Sequence, residues 1–230
     1  MQYMWHRLAK LFEGFELRVV FYARRQDESI DSRIIQEIKG RGRKYDINYV
    51  RFLYEKSSLN YHYFYTLLED VFGKGRVDVR LYDRKNLVDS DVRNDFLDYL
   101  GLTNDSISVP HEEDNVAPSY KLIAMYRIIN SLPLSNDEYT AINEGLWKEF
   151  GASGESKAVV LGKEERNEVM GYFKEYNTMF IRDCVSPNAK KAFEDVYFGP
   201  CKQVMPNIYI DGVDVVRYFQ SKGFELCKAG

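Results

Sequence analysis

The sequence predicts an α/β fold in which a small parallel sheet carries a largely helical C-terminal half. Three observations predict it. Residues 17–23 form a short run with apolar side chains on both faces, as buried parallel strands require. Residues 77–82 alternate as a second strand, and a long stretch of helical spacing separates the two. A helix between two strands is the connection that parallel strands need. From residue 118 onward the pattern is almost entirely helical.

The elements follow in order. Residues 3–13 read as a helix, with Met4, Leu8 and Leu11 at helical spacing and Gly14 as its stop. The first strand comes next. Residues 28–39 read as a helix with Ile30, Ile34, Ile35 and Ile38 along one side. Gly40-Arg41-Gly42-Arg43 ends it. Residues 47–72 give one long helix or two broken near Ser57-Ser58, closed by Gly73-Lys74-Gly75. After the second strand, residues 91–100 are a short helix closed by Gly101. Helices are then expected over 118–130, 135–150 (N-capped by Ser135), 163–177, from about 188, and over about 214–220. A short strand is expected at Ile208-Tyr209-Ile210, and 151–156 is the best candidate for a mobile loop. There is no internal repeat and no low-complexity tract.

Composition narrows the function. The 230 residues carry a net charge of −3, which argues against a general nucleic-acid binder. Arg18, Arg24, Arg25, Arg33, Lys39, Arg41, Arg43 and Lys44 nevertheless crowd one region. That is either a solvated basic face or a field attracting a polyanionic ligand. Three cysteines (Cys184, Cys201, Cys227) give no disulfide framework, and with no signal peptide or spanning run they point to the cytoplasm. No Cys or His pair has metal-ligand spacing, so no structural metal is expected. No nucleophile elbow supports hydrolase chemistry.

The chemistry concentrates where the first strand meets the following helix. Arg24 closes the strand and Ser32 lies near the start of the helix. A guanidinium there supplies a bidentate contact to phosphate, and a hydroxyl with early helical amides adds neutral donors. The plainer reading makes Arg24 a strand-end arginine paired with Asp27 or Glu28. Arg25 points to the opposite side, as a structural residue or as the anion contact if the strand ends one residue early. Tyr82 and Asp83 close the second strand and read as structural. His62 reads as a packed histidine. His111-Glu112-Glu113-Asp114 is either a solvated acidic turn or a group able to bind metal or move protons.

Arg, seven intervening residues, then Ser after a buried strand resembles the 3'-phosphate-binding segment of sulfotransferases. These enzymes use 3'-phosphoadenosine 5'-phosphosulfate (PAPS). Tyr22-Ala23-Arg24-Arg25-Gln26-Asp27 looks most like the bacterial group associated with surface polysaccharides. Tyr61-His62-Tyr63-Phe64-Tyr65, Phe72-Gly73-Lys74-Gly75, Val77-Asp78-Val79-Arg80-Leu81-Tyr82-Asp83 and Asp95-Phe96-Leu97-Asp98-Tyr99-Leu100-Gly101-Leu102 are similar to the family's following helix, strand and helix. The likeness covers roughly residues 17–130, with a looser fit to about 200. It implies a sheet of P-loop sulfotransferase type over 1–205 with a tail over 206–230. It further implies Arg24, Ser32 and Arg25 as cofactor-binding residues, PAPS as co-substrate without a metal, and transfer of a sulfuryl group to a hydroxyl, with a carbohydrate as expected acceptor. Only 16 residues precede Leu17 and they hold no phosphate loop. The expectation is therefore a chain resembling a sulfotransferase without its first strand-helix unit, weak or inactive by itself, with no assignable catalytic residue. A truncated chain, a misplaced start, a split gene and a member that has lost activity all fit. The alternative function is a non-catalytic module that binds an anionic glycan or a protein partner.

Overall fold

The computed structural model describes residues 2–40, 59–102, 118–151, 156–202, 204, 206–207 and 211–221. In chain order its elements are α1 (Gln2–Leu11), β1 (Val19–Ala23), α2 (Gln26–Lys39), α3 (Tyr61–Phe72), β2 (Val77–Leu81), α4 (Val92–Tyr99), α5 (Tyr120–Ile129), α6 (Asn136–Phe150), α7 (Lys163–Cys184), α8 (Lys190–Tyr197) and α9 (Gly212–Ser221). A 3₁₀ turn at Val88–Ser90 precedes α4. The protein is α/β, with a two-stranded parallel sheet and a mainly helical remainder. The expected residues 47–58, the basic loop with Arg41, Arg43 and Lys44, the acidic loop with His111, most of 151–156, the strand at 208–210 and Cys227 lie outside the described residues.

The chain forms two compact units that interleave in sequence. The first comprises Met1–Ser29, Phe52–Glu112 and Glu164–Cys201; the second comprises Ile30–Arg51, Glu113–Lys163 and Lys202–Gly230. Residues from 202 onward join the second unit. There the Asn207 side-chain Oδ1 accepts from the Val159 amide at 2.6 Å, and the Asn207 backbone N–H donates to the Val159 carbonyl at 3.1 Å. Such long-range pairing leaves no periodic trace in sequence.

In the first unit β1 and β2 pair in parallel, with Val19 opposite Val77 and Ala23 opposite Leu81. The turn feeding β2 needs glycine: Gly73 and Gly75 take φ of 104° and 73°, a region that side chains with a Cβ avoid. Odd-numbered strand residues face the core. Ala23 and Leu81 bury against Tyr61 of α3, Phe180 and Ile181 of α7, and Phe193 and Tyr197 of α8, with Phe21 and Val79 packed beside them. The rings meet edge to face or tilted, as in Phe21–Tyr61 at 5.3 Å and Phe180–Phe193 at 5.9 Å. Many of the abundant aromatics serve this packing.

Even-numbered residues face α4. Asp95 accepts the Tyr22 hydroxyl at 2.7 Å and the Arg80 Nε at 2.5 Å, and Asp78 accepts the Tyr99 hydroxyl at 2.6 Å. Burial alone would favour the neutral form of Asp95. The donated hydrogen bonds from Arg80, Tyr22 and the Val88 amide outweigh it and hold its carboxyl below the ordinary value.

In the second unit the expected apolar stripe of α2 is buried at Ile30, Ile34, Ile35 and Ile38. The Asp31 carboxylate accepts the amides of Val160 at 2.9 Å and Leu161 at 2.8 Å, and Asn130 donates to the Ile38 carbonyl at 2.8 Å. Ser135 caps α6, as read from sequence, and the structure adds a reciprocal pairing with Glu138.

Candidate functional site

The residues that follow β1 divide sharply. Arg25, Gln26 and Asp27 are buried at 8%, 0% and 1% exposure, while Arg24 and Glu28 remain partly open, with side chains 35% and 24% exposed. Each buried member has a specific partner. Arg25 Nε donates to Asp27 at 2.9 Å, and its Nη1 reaches the carbonyls of Val196 at 2.8 Å and Gly199 at 3.0 Å, at the end of α8. Its Nη2 donates to Cys201 Sγ at 2.8 Å. A cation on the last carbonyls of a helix is favourable for both hydrogen bonding and the helix dipole. Asp27 also receives Arg166 of α7 at 3.4 Å. Gln26 and Asn177 exchange amide hydrogen bonds of 2.6 and 3.1 Å.

Arg25, read from sequence as a possible anion contact, is thus spent on tying the turn to α8. The same network extends α7 beyond its expected end at 177. Asn177 breaks the apolar pattern because its inward partner is an amide rather than a hydrophobic residue.

Arg24 stands at the C-terminal end of β1, outside this network. Its Nε lies 3.4 Å from Glu28, a long ion pair on one helical turn, which is the plainer reading in part. Its guanidinium carbon lies 5.5 Å from the centre of the Tyr82 ring. The parallel register explains this meeting. Ala23 pairs with Leu81, so the next residue on each strand is Arg24 and Tyr82. The Tyr82 amide donates to the Ala23 carbonyl at 2.9 Å, fixing that end. Behind it, Tyr61 donates its hydroxyl to the Arg24 carbonyl at 2.6 Å. Burial pushes the Tyr61 phenol up to about 12, so it stays a neutral donor.

Ser32 is half-buried and is the seventh residue of α2, which begins at Gln26 rather than at 28. It lies past the open amides of that helix, so it offers its hydroxyl but not a free helical N–H. It belongs to the second unit and Arg24 to the first. Asp83 closes a local turn by accepting Asn86 Nδ2 at 2.7 Å. His62 is half-buried beside Asp183 at 3.3 Å. Glu28 is one of the two partners that the plainer sequence reading gave Arg24, and Tyr82, read from sequence as structural, lies against the Arg24 guanidinium.

A cleft of about 330 Å³ runs along β2 and the end of α7, lined among others by Asp78, Arg80, Tyr99, Asp183 and Cys184. Its carboxylates already have donors: Asp78 has Tyr99 and Arg18, and Asp183 has Arg182 and His62. The Arg182 contact holds the Asp183 carboxyl near 2, and burial pushes the Cys184 thiol up to about 12. Cys184 is therefore a protonated packing residue, not an activated nucleophile. No group of three or more potential metal ligands occurs among the described residues. No helix among them is long and apolar enough to cross a membrane.

Comparison of the chain with models of known families, with curated proteins and with solved structures returns no match.

Proposed function

We propose that the first unit carries the cofactor end of a sulfotransferase-like sheet, in which Arg24 contacts the 3'-phosphate of PAPS or of its desulfated product. The single observation carrying this reading is the arginine itself. It closes a parallel strand and remains partly open, while the three residues after it are buried in the fold. The C-terminal edge of parallel strands is where open α/β sheets place ligands. Tyr82 lies beside the guanidinium, its ring centre 5.5 Å from the guanidinium carbon, and a guanidinium can make a bidentate contact to phosphate. Glu28 contacts that guanidinium at 3.4 Å and would be displaced by a dianionic phosphate.

A 3'-phosphate binds and orients without reacting, so Arg24 is assigned to binding and not to chemistry. The proposed overall reaction is sulfuryl transfer to a hydroxyl, with a carbohydrate as acceptor. Its barrier would be lowered by positioned cations and amides around the transferring group. Residues acting on the sulfuryl are not assigned.

Isothermal titration with adenosine 3',5'-bisphosphate tests the reading. Wild type should bind it in preference to adenosine 5'-monophosphate. Arg24→Ala should weaken binding by roughly tenfold or more, the usual worth of a charge-assisted bidentate contact. Ser32, which the sequence pattern assigns to the same phosphate, is tested separately by Ser32→Ala. Equal binding of both nucleotides, or an affinity unmoved by Arg24→Ala, removes the assignment.

A further inference from the structure

The sheet of the first unit pairs β2 with β1 along one edge of β2 and leaves its other edge open. In a strand the N–H and C=O of one residue point to the same side, and those of the next residue point to the opposite side. Arg76 accepts the Val19 amide at 2.8 Å, and Tyr82 donates to the Ala23 carbonyl at 2.9 Å. Even-numbered residues of this stretch therefore turn their backbone groups toward β1. Val77 and Val79 turn theirs away, and among the described residues those groups have no hydrogen-bond partner. The cleft of about 330 Å³ lies along this open edge. Val77, Asp78, Val79 and Arg80 line it in succession, together with Tyr99 and the end of α7. A groove over the face of a sheet meets every second residue of a strand, so four in a row place the strand edge itself in the cleft. Its walls stand on opposite faces of the sheet. Tyr99 of α4 bonds to Asp78, whereas Val185 packs in the core cluster that Val79 adjoins.

We propose that this cleft takes an extended peptide segment of a protein partner, which adds a third strand to the sheet through the backbone groups of Val77 and Val79. The open backbone selects the occupant. Donors and acceptors repeating along a strand edge match another extended backbone. The side chains of the added strand would alternate between the two walls, one set against Tyr99 and the other against Val185. A second copy of the chain is a poorer occupant. Its own β2 edge lies between the same two walls, so pairing edge to edge would drive the walls of each copy into those of the other. The cleft runs from Val77, at the N-terminal end of β2, whereas Arg24 stands at the C-terminal end of the sheet. Peptide docking here is therefore independent of the proposed phosphate contact.

Amide hydrogen exchange of the full chain, followed residue by residue, provides the test. The probe is a short capped peptide of alternating valine and threonine with a lysine at each end. In the free protein the Val77 and Val79 amides should exchange quickly, while those of Asp78 and Arg80, which face β1, are protected. Saturating peptide should slow exchange at Val77 and Val79 by about tenfold or more. The same peptide N-methylated at alternate residues presents no N–H to the edge and should bind at least about tenfold more weakly. Ser186→Trp fills the cleft from an exposed wall position, so it should abolish peptide binding and keep the wild-type melting temperature. Slow exchange at Val77 and Val79 without peptide would show the edge already covered, by the chain itself if independent of protein concentration and by a second copy if it grows with concentration. Either result would overturn the proposal. So would absence of peptide binding, equal binding of the N-methylated peptide, or binding unmoved by Ser186→Trp.

Discussion

The turn after β1 and the helix α1 lie in the same unit and break the burial rule in opposite directions. The turn takes Arg25, Gln26 and Asp27 inside, while α1 leaves Met4 and Leu11 outside. Buried charge is tolerated in the turn because its donors find partners: the Asp27 carboxylate two residues on, carbonyls at the end of α8, the Cys201 sulfur beyond it and the Asn177 amide of α7. Among the described residues nothing comparable holds the stripe of α1. The difference teaches where to look for function. A fully partnered polar cluster is architecture, and the residues standing beside it unabsorbed, Arg24 in the turn and the outer face of α1, are the candidates for contact with something else.

The largest expected effect tests the architectural half. Asp27 is the carboxylate that Arg25 and Arg166 share at 2.9 and 3.4 Å. Asp27→Ala removes it and should lower the unfolding free energy by about 3–5 kcal/mol in denaturant titration. A loss below about 1 kcal/mol would mean that the cluster is not what holds the turn.

The second effect sets two residues of α1 against each other. Trp5→Ala removes a ring that packs on Phe64 and Phe72 and should cost about 2–3 kcal/mol. Leu11→Ala on the exposed side should change stability by less than about 0.5 kcal/mol. Equal costs would show that both sides of the helix are covered in solution.

How much of this was legible beforehand depends on the range of the interactions. The α/β class, the Ile30–Ile34–Ile38 stripe and the Ser135 cap rest on local spacing, and the sequence displays them. The helical spacing of Met4, Leu8 and Leu11 was equally visible, but spacing says that an apolar stripe exists and not which way it points. Trp5 and Ala9, less regular in pattern, took the core side. Arg24 and Arg25 are indistinguishable as letters. Only the carbonyls at the end of α8, more than 170 positions away, decide which of them is absorbed.

A smaller effect comes from acid. The Asp95 carboxyl is held below its ordinary value of 3.8 in the folded protein. A lowered folded value means that its contribution is complete above about pH 4 and is lost as pH falls through the lowered value. Asp95→Asn should therefore cost about 1–2 kcal/mol at neutral pH. It should also flatten the decline of stability below pH 4, as followed by denaturation at stepped pH. An unchanged acid limb in the variant would assign that decline to other carboxylates.

A small stability effect is expected at Arg24, whose long contact with Glu28 is partly open to water. Arg24→Ala should move the unfolding free energy by less than about 1 kcal/mol. Glu28→Gln, which removes the competing carboxylate, should tighten phosphate binding.

The central claim is the proposal that Arg24, partly open at the end of β1, contacts an anion. The most direct measurement is the rise in melting temperature that saturating adenosine 3',5'-bisphosphate gives wild type and Arg24→Ala, with adenosine 5'-monophosphate as control. The prediction is a clear rise in wild type, little with the control, and none in the variant, whose own melting temperature matches wild type. An equal rise in wild type and variant, or no rise in either, would contradict it.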